Sequence, residues 1–344
     1  MWRVLRIPRD VLFCAPEGKR FPERITILTD AREYEADVDV VIGAYRQPDE
    51  VNLTVENYLA LERKLRVHVF VIEASQHPPV FWTIRGGPQV TRVFILTNPR
   101  VTNRRYESWC GSFSVGLTMQ LASYLGRSRY LFFSHTDMMG YQENFLSFLV
   151  SKLRSDCPLA SFGQRHVIPF TGGMVYEKGY FRDLAVDWLP RRENPFVVPR
   201  LDAWRSRIEA LNWLDTGEQL VFAALSRGHR VYACASRGTK QDFFGEEMGQ
   251  YGVSSRDVMV LQAGIECGPE KLDRESFARK YPEFAGDENG MWRKSFDDEG
   301  NVVFIHRGRG TSRGRVDDRR GNFARFVRAF NQRVCEEGSH ANAD

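Results

Sequence analysis

Cysteine is sparse and unpatterned in this chain: Cys14, Cys110, Cys157, Cys234, Cys267 and Cys335 are scattered over 344 positions with no CxxC pair. Such spacing builds neither a zinc ribbon nor a disulfide framework, so we expect reduced thiols. Long apolar runs are missing too, none nearing the ~20 residues of a membrane-spanning helix, and the opening MWRVLRIPRD has no apolar signal segment. The expected location is therefore cytoplasmic. Neither sign of charge dominates, because 48 Lys and Arg against 44 Asp and Glu leave a net charge of only +4. A nucleic-acid partner is ranked out on that ground, while an anionic small ligand or an acidic membrane surface would suit it. There is no internal repeat, no long low-complexity segment and no HExxH metal motif.

What remains is the composition of a soluble globular protein with a full core, 42% hydrophobic and 27% charged. Apolar β-rich runs at Val38 to Ile42 and Val67 to Ile72 flank a helical stretch around Val51 to Leu65 that starts near Pro48, which reads as a βαβ unit. A strand at Arg92 to Leu96 precedes a helix from about Ser112 to Leu125, with Phe113, Leu117, Leu121 and Leu125 four residues apart. Alternation of this kind predicts an α/β fold with a mixed, mostly parallel sheet flanked by helices. Later expected elements are a helix from Thr216 to Ser226, a strand in RVYACAS, a strand in NVVFIHR and a terminal helix in FARFVRAFNQRV. That last helix aligns Phe323, Phe326, Val327, Phe330 and Val334 on one face against arginines; it would dock on the protein's own surface or else on an anionic membrane.

The segment richest in chemistry is RYLFFSHTDMMG, Arg129 to Gly140, where an apolar strand ends in Ser-His-Thr-Asp. His135 and Asp137 lie on one side of an extended backbone, at the strand edge where open α/β sheets bind ligands, and could share a divalent cation. An ordinary turn would explain the tripeptide as well. Four other segments stand out: VVIGAYRQP after the first core strand, VFVIEASQ ending the second in Glu73, TGGMVYEKGYF with Gly172 and Gly173, and LDTGEQLVFAALS with Asp215 and Glu218. For the last, Asp215 as N-cap and Glu218 as its capping-box partner would account for D-T-G-E without catalysis.

In order along the chain, these pieces resemble the GT-A glycosyltransferases, in particular the family 2-like enzymes that use nucleotide-diphosphate sugars. The resemblance spans roughly Asp37 to Thr311 and implies a GT-A, Rossmann-like fold. It divides the chain into an extension (1–36), a nucleotide-sugar-binding half (37–160), an acceptor-binding and catalytic half (161–311) and a basic C-terminal helix and tail (312–344). By the same resemblance Ala44, Tyr45, Arg46, Glu73, Thr136, Gly172, Gly173 and Arg309 would bind the donor. SHTD looks like a variant of the family's DxD motif, so His135, Asp137 and the late His306 would hold Mn2+ or Mg2+. Imidazole ligands in that set favour Mn2+ over hard Mg2+. Arg307, Arg309 and Arg313 in the loop after His306 would grip phosphate oxygens. Asp215 or Glu218 would be the general base of a hexosyltransferase-like, inverting reaction.

The acceptor, whether glycan, lipid-linked or small molecule, has no readable motif in the irregular stretch from Val167 to Trp213. A non-catalytic nucleotide- or sugar-binding protein on a decayed GT-A scaffold is the alternative function. A nucleotidyltransferase is disfavoured because VVIGAYRQP supplies only Gly43 where a glycine-rich phosphate loop is needed.

Overall fold

Residues Val38–Ala44 carry apolar side chains on both faces with hardly a break, the pattern of a strand covered on both sides. They form β3, at the middle of the fold. The computed structural model describes residues 2–13, 23–44, 47–74, 82–96, 110–165, 168–169, 171–199, 201–205, 211–237, 264–268, 274–284, 292–307 and 325–332. In chain order the strands are β1 (Arg3–Pro8), β2 (Arg24–Thr29), β3, β4 (Val67–Glu73), β5 (Val90–Ile95), β6 (Tyr130–His135), β7 (Met138–Gly140) and β8 (Leu159–Ser161). They continue with β9 (Gln164–Arg165), β10 (Ile168–Pro169), β11 (Met174–Glu177), β12 (Val231–Ala233), β13 (Ser236–Arg237), β14 (Ile265–Cys267), β15 (Trp292–Phe296) and β16 (Val302–Arg307).

Ten strands make one sheet in the order β1-β2-β5-β4-β3-β6-β11-β8-β12-β14. The run β5-β4-β3-β6 is parallel, as is β8-β12-β14, while β11 lies antiparallel between β6 and β8. The expected mixed, mostly parallel sheet is what the chain builds. β1 and β2, from the N-terminal stretch, extend its edge, β2 pairing antiparallel with β5 and β1 antiparallel with β2. Strands from both 37–160 and 161–311 belong to this one sheet, and β8 spans the boundary between those stretches.

Alternation along the strands sends side chains into two cores, one on each face. Val41 joins Phe70, Leu117, Leu121 and Trp188 on one side; Val40 and Ile42 join Val51, Val55, Tyr58 and Phe132 on the other. Helix Pro48–Leu61 covers the second face and stops four residues before the expected Leu65. The reason is Glu62, whose carboxylate accepts the amides of Lys64, Leu65, Leu146 and Ser147 and turns the chain away. Helix Cys110–Leu125 covers the first face, with Leu117 and Leu121 buried as predicted. Among the described residues no helix is long and apolar enough to cross a membrane.

A second sheet, β13-β15-β16-β7, is antiparallel throughout. The hairpin β15-β16 was not anticipated as a pair, although the D-D-E-G-N turn between its strands signals one. The terminal helix occupies residues 325–332. Val327 and Phe330 are buried, Phe330 stacks on Tyr141 at 5.0 Å, and Asn331 bonds to Asn57 and to the Leu53 carbonyl. That apolar face is spent on the protein's own core, which takes Val327 and Phe330 out of any membrane contact. Phe323 and Val334 lie outside the described residues.

His68 on β4 is buried, its ring parallel to Tyr34 at 3.6 Å and its Nε2 2.8 Å from the Thr91 hydroxyl. Burial disfavours the imidazolium and pushes the pKa down from 6.5 to about 4, against the pull of Asp30. Between those values the unfolded chain holds a proton that the folded one lacks. Stability from this group is thus complete above pH 6.5 and drains away as pH falls toward 4. Denaturant unfolding across that window should show the fall, and His68→Phe, which retains the ring stack, should reduce the slope by the equivalent of one proton.

Candidate functional site

The carboxyl ends of β3, β4 and β6 lie together at one edge because the three strands run parallel, with Gly43 opposite His135 and Ala44 opposite Glu73. From β3 the chain proceeds outward to β4 and β5 on one side, whereas β6 pairs on the other. The edge between β3 and β6 is therefore a topological switch point, where open α/β sheets leave a crevice for ligand. Four of the segments singled out in the sequence converge here. Glu73 is fully buried. Tyr45, Arg46 and Arg309, together with Arg313, lie outside the described residues.

After His135 the chain turns through Thr136 and Asp137 into β7, and so leaves the large sheet for the small one. Thr136 is a brace: its hydroxyl donates to Gln47 Oε1 at 2.8 Å and its carbonyl accepts from Thr54 at 3.4 Å. Gln47, within the quoted loop motif, carries no mark of this role in the sequence. β16 pairs with β7 so that His306 lies opposite Met138, and the Arg307 amide donates to the Asp137 carbonyl at 2.8 Å. This brings His306 Nε2 to 3.6 Å from Asp137 Oδ1. The His135 ring lies nearly parallel to that of His306, with centroids 6.3 Å apart.

Asp137 is almost fully buried and His306 largely so. Together they offer one carboxylate oxygen and one imidazole nitrogen, a donor pair suited to Mn2+ more than to Mg2+. Their residue types and separation fit a shared ion. Among the described residues, however, no three His, Cys, Asp or Glu side chains stand in an arrangement that would hold a metal. The expected trio is a pair with a neighbour. His135 faces Gly172 instead, so closely that a Cβ there would lie 2.7 Å from its Cδ2 and 2.8 Å from its Nε2. Only glycine leaves that ring in place. The next residue, Gly173, has φ +93° and donates its amide to the Phe133 carbonyl at 2.8 Å.

Thr171 links this layer to D-T-G-E by donating its hydroxyl to the Thr216 carbonyl at 2.8 Å. The helix predicted from Thr216 begins at Glu218, because Gly217 at φ +77° turns the chain immediately before it. Half of the capping box forms, with the Asp215 amide donating to Glu218 Oε2 at 2.7 Å. The reciprocal bond does not, since Asp215 Oδ1 accepts from the Thr216 amide instead. Glu218 is buried and Asp215 half-buried, which leaves Asp215 the more accessible carboxylate.

Trp188, within the undeciphered stretch, holds this turn from below. It is fully buried, accepts the Gly217 amide at its carbonyl, and donates its indole N–H to Tyr176 at 3.1 Å. Its neighbour Asp187 is tied to the same helix through Gln219 Nε2 at 2.8 Å. No periodic pattern marks either residue in the sequence.

No protein-family model and no curated protein matches the chain. Among solved structures it is similar to the mannosyltransferase PcManGT from Pyrobaculum calidifontis, at 12% identity and a TM-score of 0.31 over 44% of this chain and 47% of that one. It is similar to the galactosyltransferase LgtC at 13% identity and a TM-score of 0.36, over 86% and 95%. A third is S. aureus TarS 1–349, at 12% and 0.30 over 44% and 50%. Two of these are glycosyltransferases by name. The match spans about half the length of the PcManGT and TarS chains. At such identities and TM-scores the likeness decides nothing about chemistry, which rests on the site itself.

A Cβ at Gly217 would lie 2.3 Å from the Trp188 ring, in a backbone conformation that also penalises a side chain. Gly217→Ala should cost about 2 kcal/mol or more. The check is the denaturation midpoint followed by tryptophan fluorescence, and an unchanged midpoint would contradict this packing.

Proposed function

We propose that the protein is a GT-A-type glycosyltransferase that moves a sugar from a nucleotide-diphosphate donor to an acceptor hydroxyl. The observation that carries this reading is the meeting of Asp137 and His306 at the switch point between β3 and β6, brought from distant parts of the chain. In this reading the nucleotide lies along the ends of β3 and β4, near Ala44 and the buried Glu73. Asp137 and His306 would hold a divalent ion, Mn2+ for preference, and such an ion would neutralise charge on the leaving phosphate. Gly172 and Gly173 let the backbone come close to the sugar.

Asp215, the more accessible carboxylate of its pair, takes the proton of the acceptor hydroxyl as that oxygen bonds to the sugar's C1 and the bond from C1 to the diphosphate oxygen breaks. Direct displacement of this kind inverts the anomeric centre. Glu218 keeps the turn in shape by accepting the Asp215 amide. A hexose donor, a cytoplasmic location and an acceptor that is a glycan, a lipid-linked sugar or a small molecule complete the proposal.

One observation favours the second reading, a non-catalytic nucleotide binder. His135, which stands where the motif has its first acidic residue, is packed on Gly172 and adds no negative charge to the Asp137–His306 pair. Thermal unfolding with UDP and GDP, with and without Mn2+, tests both readings, since a ligand that binds only the native state raises its stability. A metal-dependent rise with one nucleotide that vanishes in Asp137→Ala supports the site. Asp215→Asn should then retain nucleotide binding while kcat falls at least about a hundredfold. Wild-type protein that binds nucleotide but turns over no nucleotide sugar would favour the binder.

A further inference from the structure

We infer that one face of β1, β2 and the end of β5 is a docking surface for an anionic lipid membrane. The inference does not rest on the transferase reading above. In these three strands one set of alternate side chains is spent on the protein itself, with Ile7, Ile25, Ile27, Val93 and Ile95 buried in the first core. The other set makes an apolar row. Val4 lies opposite Leu28 and Leu28 opposite Phe94, and on the next rung the Leu96 amide donates to the Thr26 carbonyl at 2.9 Å. Phe94 is buried, but Val4 is 58% exposed, Leu96 is 46% exposed and Leu28 is half-buried.

A pair of tryptophans borders this row. Helix Pro48–Leu61 holds the turn after Trp82 through Asn52, which accepts the Arg85 amide at 2.9 Å and donates to the Thr83 carbonyl at 3.2 Å. Trp82 is left 49% exposed, edge-on to Trp2 at 4.8 Å, and the Arg92 guanidinium lies over the Trp2 ring. Single exposed apolar side chains are ordinary on a protein surface, whereas a contiguous patch marks a docking face.

Charge makes lipid the occupant. Arg6 and Arg24 are exposed and project from the same side as Val4 and Leu28. Among the described residues of this face in the three strands, the carboxylate present is that of Asp30, which is buried and paired with Arg92 at 2.8 Å. Positive charge therefore stands unbalanced beside the apolar row. A second copy of the chain seated here would enclose the arginines of both copies with no carboxylate from this face to meet them. Aliphatic side chains with tryptophan and arginine at their border are instead the composition that binds the headgroup region of an anionic bilayer. This face takes the membrane role that the sequence had given to the terminal helix, whose Val327 and Phe330 are buried. Because β5 runs parallel to β4 and β3, Leu96 lies at the carboxyl edge of the sheet, the edge that carries the candidate site.

The test is cosedimentation with vesicles of phosphatidylcholine alone and of phosphatidylcholine mixed with phosphatidylglycerol. Wild-type protein should sediment with the anionic vesicles, not with the neutral ones, and should be released as salt is raised. Arg6→Glu combined with Arg24→Glu should lower partitioning about tenfold or more. The charge-matched pair Arg127→Glu and Arg182→Glu, at exposed positions elsewhere, should change it far less. Should circular dichroism show the first pair to be unfolded, Val4→Asp replaces it with the same expectation. Wild-type protein that stays in solution with anionic vesicles overturns the inference, as does binding that survives in folded variants of the patch. A dimer that Val4→Asp dissociates, with no vesicle binding by wild type, overturns it in favour of a contact between copies.

Discussion

The arrangement depends on the parallel pairing of β3 with β6. These two strands are buried on both faces and held side by side along their whole length, from Val38 opposite Tyr130 to Gly43 opposite His135. Parallel pairing requires both to end at the same edge, and the reversal of strand order there keeps any connection from crossing it. A fixed edge results. Asp39 contributes at the opposite end of β3, where its buried carboxylate accepts the Tyr34 hydroxyl and both the amide and hydroxyl of Ser128. Burial raises its pKa, and those bonds together with the Lys178 charge oppose the rise.

From that edge the site is assembled by close backbone approaches. Gly172 admits the His135 ring, and Gly217 admits the Trp188 ring. Hydrogen bonds then tie the layers together: Thr136 to Gln47, Thr171 to the Thr216 carbonyl, Gln219 to Asp187. The small sheet completes the arrangement by laying β16 against β7, so that His306 arrives beside Asp137 from nearly half the chain away. Side chains held in this way stay in place through packing around them, which is what electrostatic catalysis needs.

The elements legible in the sequence were those with strong periodicity. The apolar runs of β3 and β4 and the four-residue repeat of helix Cys110–Leu125 folded as read, since local pattern and tertiary burial agree there. Boundaries failed where a side-chain contact or a left-handed turn overrode propensity, as at Glu62 and at Gly217. Proximity at the site was legible through motif order; geometry was not. Nothing in SHTD indicates that His135 would pack against Gly172 while Asp137 pairs with His306. Trp188 and Gln47 escaped notice for a related reason: each acts through a partner remote in sequence, reached only by the packing of an irregular loop or of a strand end.

The most direct test of the account is turnover of a panel of nucleotide sugars in Mn2+, with the nucleoside diphosphate formed measured by mass spectrometry for wild type and Asp137→Ala. The account predicts that the wild-type protein consumes one donor, releases its nucleoside diphosphate and transfers or hydrolyses the sugar, and that Asp137→Ala does none of this. Consumption that is equally fast in Asp137→Ala, or none by wild-type protein that still binds the nucleotide, would contradict it.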